Sequence, residues 1–120
     1  MANNFEDLKI WQMGESLAMR IYSLTDKFPK HELYNIVSQL RRAAISVPTN
    51  IAEASGRYHD KESIHFMFNA RGSAEEVRSL LMSSRDLSYV KQNTFASLNE
   101  EYLGLIRGIN GFIRSLRKTN

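Results

Sequence analysis

Glu62 and His65 are separated by three positions, which would place both side chains on one face of a helix. Bundles that bind two iron ions use this Glu-x-x-His spacing, together with a second such pair and two further inward carboxylates. The other two histidines, His31 and His59, have no glutamate three positions earlier. The second half of a metal site is therefore missing, and the sequence favours a surface glutamate beside a boundary histidine, with no metal.

Nucleophilic chemistry is also poorly supported. The chain has no cysteine, and it contains no hydrolase elbow, phosphate-binding glycine loop or dinucleotide fingerprint. A serine nucleophile needs a nearby histidine base, and the three histidines lie near predicted helix ends without an evident partner. We therefore predict a protein that is not an enzyme and uses no cofactor. Metal-dependent catalysis at Glu62 and His65 is kept only as a third hypothesis.

The basic residues carry more information than the net charge of +3. Between positions 102 and 120 the sequence has four cations and no acid. The planar fork of arginine suits bidentate contacts with phosphate, so this segment predicts contact with an RNA or DNA backbone. The candidate residues are Arg107, Arg114, Arg117 and Lys118. Weaker candidates are Arg41, Arg42, Arg57 and Lys61.

A second arginine row occupies the third predicted helix, where Arg71, Arg78 and Arg85 recur at steps of seven. Glu75 and Asp86 lie close to this row, and charged rows on helices usually face solvent. We therefore favour a solvated face over a binding face here.

Two polar segments are predicted to face each other from the second and third helices. A hydrogen-bonded network between them would fix the register of the two helices, and this structural role is favoured over catalysis. The network residues are Ser46, Asn50, Glu53, Arg71, Ser73 and Glu76.

Composition bounds the class of protein. The chain has 120 residues, of which 42% are hydrophobic and 24% charged, enough for one domain with a real core. No apolar run approaches the ~18 residues of a membrane span, and without cysteine there are no disulfides. We therefore expect a cytoplasmic protein with no membrane association.

Apolar residues recur at steps of three and four throughout the chain and predict an all-α protein. Pro29 ends the first helix, Pro48 should kink the second near residues 44–47, and Gly56 should end it in a left-handed conformation. Asp60 is the predicted N-cap of the third helix. The four predicted helices are about 5–27, 32–55, 60–89 and 94–117.

The last helix has an apolar period of ~3.5 residues, which implies left-handed coiling. With three short connections, the helices predict an antiparallel, up-down-up-down, left-handed four-helix bundle. The predicted core stripe of the third helix is Phe66, Ala70, Ser73, Val77, Leu80, Ser84 and Leu87.

The fourth helix has surplus apolar residues, Leu103, Ile106 and Ile113, beside its main stripe. A second face carries Gly104, Gly108 and Gly111. Three glycines inside a helix cost about 1 kcal/mol each, which indicates that something packs against the backbone. Two readings stay open: close packing within the monomer, or an interface between subunits.

Three motifs resemble a known family: Phe5 to Trp11 (FEDLKIW), Gln39 to Glu53 (QLRRAAISVPTNIAE) and Ala70 to Glu76 (ARGSAEE). In this order they are similar to the four-helix bundle family of 23S rRNA intervening-sequence proteins, over nearly the whole chain. The family is related to the accessory variability proteins of diversity-generating retroelements. The family usually continues with glycine directly after the glutamate, whereas here Ala54 follows Glu53.

The resemblance implies a small bacterial bundle that forms a homopentamer with a basic surface and has no established enzymatic activity. In the retroelement branch it implies binding to nucleic acid and to a reverse transcriptase. The family motif positions are Arg41, Arg42, Ser46, Pro48, Asn50, Glu53, Arg71, Gly72, Ser73 and Glu76.

The sequence therefore predicts a nonenzymatic oligomer that binds RNA or DNA through its basic surfaces. The alternative is a protein-interaction scaffold that binds no nucleic acid and whose arginines serve solubility or an acidic protein partner.

Overall fold

The computed structural model describes residues 4–118, and every regular element in that range is helical. The four long helices are α1 (Lys9–Thr25), α2 (Ser38–Ser55), α3 (Asp60–Asp86) and α4 (Gln92–Lys118). The predicted all-α class is confirmed for this range, and the ends of the predicted 1–120 domain lie outside it. None of these helices is long and apolar enough to cross a bilayer.

The first helix is shorter than the predicted range 5–27. Phe5–Asp7 forms a separate 3-10 turn, and Leu8 is extended (φ −75°, ψ 128°), so α1 begins only at Lys9. At the other end, the Thr25 hydroxyl donates hydrogen bonds to the carbonyls of Ile21 (2.8 Å) and Tyr22 (3.2 Å). The apolar residues Phe5 and Leu8 precede the stripe that begins at Ile10, but the extended backbone at Leu8 separates them from the helix, so the sequence pattern overestimated its length.

The second helix begins six residues later than predicted. A 3-10 turn at Lys30–Glu32 and a wide turn at Leu33–Val37 precede it, and Asn35 breaks the helical backbone (φ −128°, ψ −107°). Pro48 lies inside α2, and the helix continues through it to Ser55. The predicted single helix across Pro48 is therefore correct.

Two predicted helix signals are wrong. Gly56 has φ −89° and ψ 0°, so it is not left-handed; Ser88, with φ 65°, is the non-glycine residue with positive φ in the described part of the chain. Asp60 is the first residue of α3 and follows His59, so it is not the N-cap. As an acid in the first turn, Asp60 still has a favourable interaction with the helix dipole.

The core runs along one side of each helix, but the predicted stripe of α3 is wrong at four of its seven positions. Phe66, Ser73 and Leu80 are half-buried, and Leu87 is 52% exposed. Of the predicted stripe, Ala70, Val77 and Ser84 are buried. In place of Phe66, Ser73 and Leu80, the residue one position later in the chain is buried in each case. The buried residues of α3 are Ser63, Met67, Ala70, Ala74, Val77, Leu81 and Ser84. Small and polar side chains on both edges made the two stripes hard to distinguish by periodicity.

The surplus apolar surface of α4 is used within the monomer. Ile106 and Ile113 are 7% and 2% exposed. A Cβ added to Gly108 would lie 2.8 Å from Cγ2 of Ile10, so this glycine lets α1 approach the backbone of α4. The open question is therefore decided at Ile106, Gly108 and Ile113 in favour of packing within one chain.

Contacts between neighbouring helices follow a regular order. Gly14 of α1 packs against Val47 and Pro48 of α2, whereas Thr25, further along α1, accepts a 2.9 Å hydrogen bond from Arg41, which lies earlier in α2. Between α2 and α3, the Ser63 hydroxyl donates to the carbonyl of Ala54 at 2.7 Å. Residues late in one helix thus meet residues early in the next.

The same order holds on the other side of the molecule. Arg78 of α3 donates a 2.7 Å hydrogen bond to Asn99 of α4, and Arg71 donates a 2.8 Å bond to Asn110. Between α1 and α4, Arg20 forms an ion pair with Glu101. Each long helix therefore contacts two others around one shared core.

Candidate nucleic-acid interface

The C-terminal half of α4 exposes all four of its candidate cations, Arg107, Arg114, Arg117 and Lys118. The Arg117 guanidinium lies 5.5 Å from the ring centroid of Phe68, so its long stem has a fixed support on α3. Arg107 differs from the others because Glu100 lies 4.0 Å from its Nη2 atom. The expectation that no acidic residue lies near these cations is therefore wrong for Arg107, because Glu100 lies just before the acid-free segment 102–120.

The turn between α2 and α3 carries two further candidates, Arg57 and Lys61. Arg57 forms a 2.5 Å ion pair with Glu53 one helical turn earlier, and its guanidinium lies 4.6 Å from the centroid of Phe66. Lys61 is exposed in the first turn of α3. Arg57 is therefore held in place while its side chain stays 40% accessible.

The fold brings these two segments to the same end of the molecule. Because the contacts of Arg71 with Asn110 and of Phe68 with Arg117 pair the first half of α3 with the last part of α4, the turn at Arg57 and the last turn of α4 lie toward the same end of the molecule. We call this region the basic end and define it by Arg57, Lys61, Arg114, Arg117 and Lys118. Sequence separation hid this grouping, which only the contacts between α3 and α4 reveal.

Tyr58, also in this turn, is a residue that periodicity did not assign to a site. From the sequence, the tyrosines are expected in the core or at its boundary, with the alternative that an exposed tyrosine near arginines stacks a base. Tyr58 is 92% exposed, and its ring centroid lies 4.9 Å from that of His59. Its position directly beside Arg57, outside any apolar stripe, is the signal that identifies it.

Arg41 and Arg42 lie near the opposite end and differ from each other. Arg41 is partly buried, with bonds to Thr25 (2.9 Å), the carbonyl of Tyr22 (3.4 Å) and Asp26 (3.4 Å). Its guanidinium also covers the Tyr22 ring at 4.7 Å. Arg41, a weaker candidate phosphate ligand, therefore has its donors engaged in joining α1 to α2, whereas Arg42 is exposed.

The arginine row of α3 is not the solvated face that was predicted. Arg71 lies 4.8 Å from the Phe68 ring, in addition to its bond with Asn110. Arg85 covers the ring of Phe95 in α4 at 4.4 Å. With Arg78 bonded to Asn99, these half-buried side chains connect α3 to α4 along its length.

The predicted polar network forms only in part. Ser73 donates a 2.9 Å hydrogen bond to the hydroxyl of Ser46, and Asn50 donates to the same hydroxyl at 2.9 Å, which joins α3 to α2 as predicted. Arg71 turns instead to α4, and Glu53 pairs with Arg57 in the turn that follows α2. Glu76 is exposed on α3. Arg71 and Glu53 are therefore not part of the α2–α3 contact.

Glu62 and His65 both lie on the exposed side of α3. Across residues 4–118, no three side chains of the metal-ligating types gather as a possible ion site. The chemistry available at the basic end is therefore different: its exposed guanidinium and ammonium groups can bind anions through charge-assisted hydrogen bonds.

These observations define a small all-helical protein with a basic end and four helices around one core. The family of 23S rRNA-intervening sequence proteins matches residues 6–111, so the chain belongs to this family. No match to a curated protein was found.

Among solved structures, the fold is similar to the crystal structure of a protein of unknown function from the S23 ribosomal protein family of Bacteroides thetaiotaomicron. The TM-score is 0.78 at 19% sequence identity, covering 87% of this chain and 97% of the other. At this identity the similarity supports the fold alone.

Proposed function

We propose that this protein is nonenzymatic and binds the backbone of RNA or DNA through the basic end. The observation that carries the proposal is the grouping of exposed cations from two distant segments, with Arg117 supported by Phe68 and Arg57 by Phe66. Phosphate contacts release counterions and carry no base information, so affinity should fall steeply with salt and depend little on sequence.

Charge reversal tests the proposal directly. In Arg114→Glu/Arg117→Glu, two phosphate contacts are lost, and we expect weaker binding of labelled RNA and DNA with the slope of log affinity against log salt reduced by about 2. Lys27→Glu/Lys91→Glu is the matched control, because it makes the same charge change at two exposed lysines outside the basic end. An equal loss in both variants, or affinity independent of salt, would contradict the proposal.

The helix order supports an up-down-up-down topology. In every neighbouring pair, the contacts described above join the late part of one helix to the early part of the other. The left-handed sense is supported by the apolar period of α4, whose buried residues include Phe95, Leu98, Tyr102, Leu105 and Ile109.

We also propose self-association, with a pentamer as the expected state. Its support in this chain is a shallow groove lined by the exposed side chains of Tyr22, Leu33 and Tyr34 together with Arg42. Exposed apolar groups that line one groove are typical of a protein interface. Light scattering on protein freed of nucleic acid measures the subunit number, and a monomer at micromolar concentration would contradict this part of the proposal.

The same groove favours the second candidate, a scaffold for a protein partner, which in the retroelement branch is a reverse transcriptase. That function predicts no binding of nucleic acid at physiological salt. A pull-down that recovers RNA and no protein would count against it.

A further inference from the structure

We propose that the basic end binds single-stranded nucleic acid, with Tyr58 as the platform on which a base stacks. This inference rests on the proposed function and specifies its ligand class. It adds a base contact to a site otherwise described by contacts with phosphate.

The ring of Tyr58 is accessible to a ligand. Its ring is 92% exposed, whereas Tyr102 is fully buried and Tyr89 is tied to a carboxylate by a hydrogen bond. His59 contacts the Tyr58 ring in an edge arrangement, with an interplanar angle of 78°. Because Tyr58 is 92% exposed, its ring is accessible to a flat partner, and the contact with His59 helps to orient it.

Cations that could contact phosphate lie close to Tyr58 in the chain. Arg57 precedes Tyr58 in the chain and is held by Glu53 and Phe66, while Lys61 follows within one turn of helix. Asp60 and Glu62 lie in the same first turn of α3, so the local charge is mixed. The excess of positive charge comes from the last turns of α4, where Arg114, Arg117 and Lys118 have no acid among them in the sequence.

Stacking distinguishes single strands from duplexes. The bases of a duplex are stacked on one another and present only their edges in the grooves, so a side chain on the protein surface reaches phosphate but not a base face. A single strand exposes base faces, and proteins that bind such strands combine a cationic track with aromatic rings. The basic end has both components, Tyr58 and its flanking cations.

The test compares one oligonucleotide of mixed sequence as a single strand and as a duplex, using fluorescence anisotropy. In Tyr58→Ala we expect roughly tenfold weaker binding of the single strand and no change for the duplex. Tyr58→Phe keeps the ring and should bind like the wild type. Since no phosphate contact is lost, the salt dependence of Tyr58→Ala should equal that of the wild type.

A direct signature of stacking comes from an oligonucleotide that contains 2-aminopurine, whose fluorescence changes when the base stacks on an aromatic ring. We expect this change in the wild type and in Tyr58→Phe and its loss in Tyr58→Ala. Leu87→Ala is the control, because Leu87 is 52% exposed, follows the other end of α3 and belongs neither to the basic end nor to the groove of Tyr34. Light scattering and thermal unfolding check that each variant keeps its assembly and fold.

The outcomes separate the two proposals. If Tyr58→Ala binds single strands as the wild type does, or weakens single strand and duplex equally, the stacking platform is refuted while backbone binding stands. An equal loss in Leu87→Ala would also refute it, because the effect would then not be specific to the ring of Tyr58. If the wild type binds neither ligand, both the inference and the proposed function fail.

Discussion

The hydroxyl of Tyr89 donates a 2.7 Å hydrogen bond to Oε2 of Glu32, 57 residues earlier in the chain. The other carboxylate oxygen of Glu32 accepts a 3.0 Å bond from Asn35, whose backbone departs from helical geometry. The rings of Tyr89 and Phe28 also pack together, with centroids 5.3 Å apart. One carboxylate thus ties the irregular segment before α2 to the turn after α3.

This relationship predicts a dependence of stability on pH. The hydrogen bonds from Tyr89 and Asn35, with the nearby His31, lower the pKa of Glu32. A lowered folded-state pKa stabilises the fold above the ordinary carboxyl range, and this contribution is lost as pH falls through the folded-state pKa. Tyr89→Phe should therefore unfold at lower urea concentration than the wild type at pH 7, and the difference should shrink in acid. A difference independent of pH would contradict this account.

Asn110 is predicted to stabilise the contact between α3 and α4. Asn110→Ala removes the acceptor of the Arg71 bond, and we expect the free energy of unfolding to fall by about 1 kcal/mol, the net value of one hydrogen bond. A double-mutant cycle with Arg71→Ala should give a positive coupling energy. The pair Arg71 and Asn99, which are not bonded to each other, is the control and should give additive effects.

The glycines of α3 and α4 should respond to alanine in opposite directions. A Cβ at Gly108 would meet Ile10 at 2.8 Å, so Gly108→Ala should lower the unfolding free energy by about 1 kcal/mol through overpacking. At Gly72 nothing lies within 4 Å of an added Cβ, and Gly72→Ala should raise it by up to about 1 kcal/mol through helix propensity. Urea unfolding of both variants checks the sign, and stabilisation by Gly108→Ala would contradict the close packing of α1 on α4.

The hydroxyl of Tyr102 is predicted not to stabilise the fold. The side chain is fully buried, and within residues 4–118 its Oη atom has no hydrogen-bond partner. Tyr102→Phe should keep or raise the free energy of unfolding, because it removes an unpaired buried polar group worth about 1–3 kcal/mol. Calorimetry at neutral pH measures this, and a clear loss of stability in Tyr102→Phe would contradict it.

Burial also raises the pKa of Tyr102, which predicts behaviour in alkali. A phenol whose pKa is raised on folding stabilises the protein below the pKa of the unfolded chain, about 10, and this contribution is lost as pH rises further. The wild type should therefore lose stability above about pH 10, and Tyr102→Phe should lose less. Equal losses in the two proteins would show that Tyr102 does not ionise on unfolding.

The sequence by itself determined the all-α class, since apolar periodicity is a local property that needs no tertiary contact. It also placed α2 across Pro48, because the stripe keeps its phase on both sides of the proline. The helix ends were less well predicted. The breaks at Leu8 and Asn35 lie inside or beside apolar periods, and backbone geometry, not side-chain pattern, ended those helices.

Only the tertiary structure decided which cations are free. Arg41 and Arg114 are the same residue type in the sequence, yet Arg41 is bonded to α1 and Arg114 is exposed. The α3 arginines likewise became links to α4 because asparagines and an aromatic ring stand opposite them. The basic end itself depends on the contacts between α3 and α4, which put the turn at Arg57 and the last turn of α4 toward the same end of the molecule. Such relations between distant residues arise from packing, and no periodicity in one segment records them.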